Sequence, residues 1–154
     1  MAGIIGQYLE PLLLNAVFGG GASQTAFTGN ATVYIGVCTQ ASPTTDALLK
    51  STEPTTGGAY ARIPVTNNAT NFPVATGSAP ASKSMNVSFS FPASTTPGWT
   101  TGTTPLASFF IADAATLAGG NILWSGPLTP ATDIVNGAGV TFTFAIGALT
   151  FTLN

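Results

Sequence analysis

Residues 84–91 read Ser-Met-Asn-Val-Ser-Phe-Ser-Phe, a strict alternation of small polar and apolar side chains. On a strand, Met85, Val87, Phe89 and Phe91 share one face and Ser84, Asn86, Ser88 and Ser90 the other, one for a core and one for water. A helix would scatter the two sets around its axis, so the stretch has to be extended. The alternation returns in residues 140–146 and 149–153, with Gly147 between them as a bulge or bend. Residues 31–39 set Val33, Ile35 and Val37 on one face. Residues 106–112 and 121–125 are apolar runs joined through Gly119-Gly120, the turn chemistry of a hairpin, and Pro127 and Pro130 break the pattern after it. Turns fall at the spacing of an antiparallel sandwich. The expected fold is therefore mainly β: a single antiparallel β-sandwich of about seven strands, jelly-roll or Ig-like, with one N-terminal helix.

That helix rests on Ile5, Tyr8, Leu9, Leu12, Leu13 and Ala16, which repeat at helical spacing ahead of Gly19-Gly20-Gly21. Pro11 opposes it. A proline inside a helix costs roughly 3 kcal/mol, whereas burying Ile5, Leu9, Leu12 and Leu13 contributes about 6–12 kcal/mol. The expectation is a helix of about four turns, bent or started near Pro11. Residues 1–21 are assigned to this helix and its glycine-rich linker, either part of the same domain or an assembly arm, and residues 22–154 to the sandwich. No basic residue precedes Lys50, so the charged start of a signal peptide is missing and the apolar run is read as part of the mature protein. The run is also too short for a membrane span.

Charge narrows the function. The charged residues are Glu10, Asp46, Lys50, Glu53, Arg62, Lys83, Asp113 and Asp133, 5% of the chain where about 25% is ordinary. A surface with so little repulsion favours association. Three basic residues and a net charge of −2 exclude a cationic footprint for nucleic acid and for anionic membranes. With no histidine, Ser-His-Asp and Cys-His catalysis and the commonest metal ligand are gone. Cys38 is alone and sits in a strand, as a small apolar residue would. Asp113 is placed to cap its own hairpin turn, although a pairing with Asp133 is conceivable as a carboxylate pair. Neither a catalytic residue nor a metal or cofactor site is expected. Trp124 lies in the hairpin and belongs in the core. Trp99, in an open Pro-Gly loop, is a candidate for an interface or for stacking on a sugar.

Residues 57–65, Gly-Gly-Ala-Tyr-Ala-Arg-Ile-Pro-Val, follow a long loop at 40–56 with room for a helical turn at 46–50. Alternation places Ala59, Ala61, Ile63 and Val65 on one face and Tyr60 and Arg62 on the other. Two readings stay open. Arg62 is an anchor that hydrogen-bonds loop carbonyls or a carboxylate where the loop returns to the sheet, Glu53 being its one sequence-local partner. Alternatively, Tyr60 and Arg62 face a partner subunit.

Several segments together resemble a known family. They are Tyr8-Leu9-Glu10 with Leu12-Leu13-Leu14-Asn15; Ala31-Thr32-Val33-Tyr34-Ile35-Gly36; Gly57-Gly58-Ala59-Tyr60-Ala61-Arg62; Phe110-Ile111-Ala112-Asp113-Ala114-Ala115-Thr116; Gly119-Gly120-Asn121-Ile122-Leu123-Trp124; and the closing Gly147-Ala148-Leu149-Thr150-Phe151-Thr152-Leu153. In this order they resemble small tailed-bacteriophage virion proteins labelled tail fibre or minor structural protein. The resemblance implies a non-enzymatic virion component. With the low charge and the apolar helix, the expectation is a capsid decoration, or cement, protein on the outer shell, with the major capsid protein and copies of itself as partners. A tail or tail-fibre component is the alternative, and a carbohydrate-binding module centred on Trp99 is the alternative of another class. The candidate interface residues are Ile5, Leu9, Leu12, Leu13, Tyr60, Arg62 and Trp99.

Overall fold

The computed structural model describes residues 4–18, 29–42, 44–54, 57–76, 81–99, 104–132 and 139–153. In chain order its elements are β1 (Ile4–Ile5), α1 (Leu9–Phe18), β2 (Thr32–Cys38), α2 (Asp46–Ser51), a 3-10 turn (Gly57–Ala59), β3 (Ile63–Thr66), β4 (Ala81–Ser84), β5 (Phe89–Ser90), β6 (Leu106–Ala112), β7 (Ile122–Thr132), β8 (Thr143–Phe144) and β9 (Thr150–Leu153). The fold is mainly β, all its pairings are antiparallel, and it is sandwich-like with an N-terminal helix.

One layer is a five-stranded sheet in the order β1-β7-β6-β2-β3. The expected hairpin is its centre, β6 against β7, with Phe110 opposite Ser125 and Ile111 opposite Trp124. Contrary to expectation, Pro127 does not end β7. The strand runs on to Thr132 through a register shift against β6. The outer neighbour β1 pairs only with Trp124 and Ser125, so Pro127 lies at an edge, where a missing donor is tolerated.

The second layer is a long irregular ribbon. β4 pairs with β9 and β5 with β8, and Met85 N donates to Leu149 O (3.0 Å) and Phe91 N to Phe142 O (2.9 Å). Residues 85–88 lie opposite residues 145–149, so the second strand carries one extra residue. Gly147, at φ 75°, takes up the bulge, as its sequence position implies. The expected single strand at 84–91 is thus two short ladders, yet its alternation survives. Met85 and Phe91 are buried, while Ser84, Asn86, Ser88 and Ser90 are exposed.

Between the layers Val33, Ile35, Val37, Phe109, Ile111 and Trp124 of the sheet meet Met85, Phe91, Phe144 and Leu149 of the ribbon. The opposite sheet face holds a smaller cluster, in which Leu49 of α2 covers Cys38, Phe110, Ala112 and Ile122. Both faces of the central strands are covered, which is why β6 is nearly continuously apolar rather than alternating.

The N-terminus differs from expectation. Ile5 is not helical. It lies in β1 opposite Trp124 and packs against the main core. The helix has ten residues rather than four turns, and Pro11 is its third residue. Backbone N–H groups in a first turn have no intrahelical acceptor, so the proline gives up no hydrogen bond there. Gly19-Gly20-Gly21 and Asp133 lie outside the described residues.

Candidate interface and the buried anchor behind it

β3 begins only at Ile63, although the ladder with β2 would continue to a residue opposite Val37. Val37 N–H therefore lacks a strand partner. The Tyr60 hydroxyl accepts it at 3.0 Å and donates its own proton to Glu53 Oε1 at 2.9 Å. Arg62 closes the group. Its Nε donates to Glu53 Oε1 and its Nη2 to Glu53 Oε2, both at 2.7 Å. Its Nη1 donates to the carbonyls of Ala114 (2.8 Å) and Gly119 (3.2 Å) in the β6–β7 turn. Glu53 Oε2 also accepts Ala118 N at 2.8 Å. Ion-pair side chains 0% and 1% exposed are thus fully hydrogen-bonded, the condition under which a buried pair is tolerated. The guanidinium lies 5.0 Å from the Phe110 ring centroid, a cation–π distance. Phe110 in turn packs on Gly36, where a Cβ would come within 2.3 Å of the ring.

Three candidate interface residues are accordingly inside the protein. Tyr60, Arg62 and Trp99 are 3%, 5% and 5% exposed, while Ala59 and Ala61 face solvent. The expected face assignment is inverted because residues 57–59 form a turn and the strand parity starts only at Ile63. Of the two readings of Arg62, the anchor is the one the geometry realises. It ties the returning loop, the sheet edge and the β6–β7 turn together. Burial, and next the neighbouring Glu53 carboxylate, hold the Tyr60 phenol well above its usual pKa.

Trp99 offers no stacking face to a sugar, which removes the basis for a carbohydrate module centred on it. Its ring meets Tyr60 (centroids 5.2 Å apart) and Phe91 (5.3 Å) edge-on, and its Nε1 donates to Gly58 O at 2.9 Å. Gly58 has φ 75°, and a Cβ there would lie 2.3 Å from Gly98 O. Gly58 is therefore what lets the Trp99 loop close onto the core.

The remaining chemistry is structural too. Asp113 caps its turn through Asn121 N and Nδ2, both at 2.7 Å, as its position implies. Among the described residues no group of three or more His, Cys, Asp or Glu is placed to hold a metal, and no helix is long and apolar enough to cross a membrane. Burial pushes the Cys38 thiol from 9.0 up to about 11. Because the folded value is the higher one, this contribution to stability is complete below about pH 9 and is lost as pH rises toward 11. Cys38 is expected to resist iodoacetamide at pH 8 in the folded protein and to react fully in urea, followed by mass spectrometry. Equal labelling in both states would contradict the burial.

The other candidates sit on or beside α1. Leu9, Leu12 and Leu13 are half-buried, and among the described side chains Leu14 of α1 (58% exposed) and Tyr8 just before it (43%) are turned outward. The leucine spacing follows the half-buried side of the helix, and Leu14 lies off that stripe. Glu10 and Leu14 lie four residues apart on the exposed side. The turn that leads into α1 is tied to α2, where Asp46 N donates to Gln7 Oε1 at 3.3 Å.

A β-layered body whose buried ion pair ties its own loops, carrying an apolar helix after its edge strand, has the build of a structural subunit. Over residues 5–152 the chain matches the model of the Gp80 family, described as podophage GP4 fiber I protein gp80, and it belongs to that family. It is a structural protein of the tailed-phage virion, as the resemblance implied. No curated protein matches the chain.

Proposed function

We propose that the chain is a non-enzymatic fibre subunit, held in the virion by the outward face of α1. The observation that carries this is an apolar helix that turns Leu14 to solvent, with Tyr8 exposed just ahead of it, in a chain of a fibre family. Moving an exposed leucine side chain from water onto a partner contributes about 1.5–3 kcal/mol. The family description moves the weight from a capsid decoration protein, the first expectation from sequence, to the fibre. Copy number separates the two. A fibre subunit is expected at a few copies per particle by quantitative mass spectrometry, with immunogold label on the tail. Copies in proportion to the major capsid protein, with label over the shell, would overturn the fibre reading in favour of decoration.

A further inference from the structure

Among the described residues, two charged side chains have neither an ion pair nor a hydrogen bond: Glu10 on α1 and Lys83 on β4. Lys83 lines a cleft of about 160 Å³ together with Asn67, Phe72, Ile111, Trp124 and Phe151. The indole ring of Trp124 forms part of its wall, with the indole N–H buried behind and without an acceptor among the described residues.

We propose that α1 of one copy docks on this cleft of the next, with Leu14 entering between the aromatic rings and Glu10 pairing with Lys83. The inference rests on the reading of α1 as the attachment element and names its receptor. The cleft is close in size to a cavity that holds one benzene ring, about 150 Å³, so it accepts one branched side chain rather than a whole helix. Glu10 and Leu14 are one turn apart on the exposed side of α1, so one approach serves both contacts. The chain's one unpartnered carboxylate and one unpartnered ammonium among the described residues are of opposite sign, and each borders one of the two surfaces. Within a copy no ion pair joins Glu10 to Lys83. Gln7, just ahead of α1, is bonded to α2, which covers the Cys38–Phe110–Ile122 face of the sheet, whereas the cleft opens on the Ile111–Trp124 face. Helix and cleft are therefore different surfaces, and a contact between them is heterologous. Such contacts repeat head to tail and, unless the rotation closes a ring, build a filament.

Sedimentation velocity on the full chain tests this. The wild type is expected to form oligomers that grow with concentration and shrink with salt. Glu10→Lys and Lys83→Glu are each expected to weaken association at least about tenfold by opposing like charges. An equimolar mixture of the two variants is expected to recover wild-type oligomers, because each supplies the charge the other lacks. Unchanged thermal melts show that the variants fold. A wild type that stays monomeric, single variants that assemble normally, or a mixture that fails to recover would each overturn the proposal. Leu14→Asp in the virion separates it from the reading beneath it. Loss of incorporation with a monomeric wild type means that α1 attaches to another protein, and normal incorporation rejects the attachment role as well.

Discussion

Replacing Arg62 with methionine is expected to lower the unfolding free energy by about 3–5 kcal/mol, the cost of leaving a buried carboxylate without its cation. Glu53 is 1% exposed in its side chain, so water cannot take over the guanidinium's two 2.7 Å bonds. The carbonyls of Ala114 and Gly119 lose their donor in the same step. Set against a typical domain stability of about 5–15 kcal/mol, this is a large share. At about 2–4 °C per kcal/mol for a chain of this size, the melting temperature should fall by roughly 6–20 °C. Arg62→Lys is expected to recover little, since an ammonium cannot form the two-pronged bond to Glu53 and reach the turn as well. The pair Glu53→Leu with Arg62→Met should recover part of the loss, because no charge stays buried, but not all of it. Tyr60 OH and Ala118 N would lose their acceptor. Urea unfolding followed by circular dichroism measures each case. An Arg62→Met protein melting within about 2 °C of wild type would refute the anchor.

Trp99→Ala is expected to cost about 3–5 kcal/mol, the range for deleting a large buried aromatic side chain. The loss lies mainly in packing. The ring is wedged against Tyr60 and Phe91, and Phe91 packs further on Phe142 and Phe144, so the void would open in the middle of an aromatic cluster. The hydrogen bond is the smaller part, because Gly58 O keeps a second donor in Thr95 N at 2.9 Å. Trp99→Phe should therefore recover more than half of the loss. A Trp99→Ala variant destabilised by less than about 1 kcal/mol would show that the indole is not part of the core. Because Tyr60 belongs to both the aromatic cluster and the ion-pair group, the Arg62 and Trp99 effects should not simply add.

Much of this architecture was legible in the residues. The alternation at 84–91 placed Met85 and Phe91 inward whether or not the ladder there was continuous, because side-chain parity depends on extended backbone alone. Gly147 marked its bulge, Gly119-Gly120 its turn, and Asp113 its own cap, since each acts on neighbours a few residues away. What failed was parity carried across a break. Tyr60 and Arg62 were put on a surface by counting back from Val65, and the 3-10 turn with the late start of β3 cancelled that count. The leucine stripe of the first helix was read without knowing which side of it the body would occupy.

The sequence by itself determined the local periods and breaks: extended runs, turns, the anchor's candidate partner in Glu53, and the family of tailed-phage virion proteins to which the chain belongs. Tertiary structure alone decided that Arg62 is buried with Glu53, that Trp99 closes the core, and that Leu14 rather than Leu9 or Leu12 is offered outward. The reason is physical. Alternation reports which side chains share a face, but whether a face is inside depends on segments distant in sequence, such as the 114–119 turn that supplies carbonyls to Arg62.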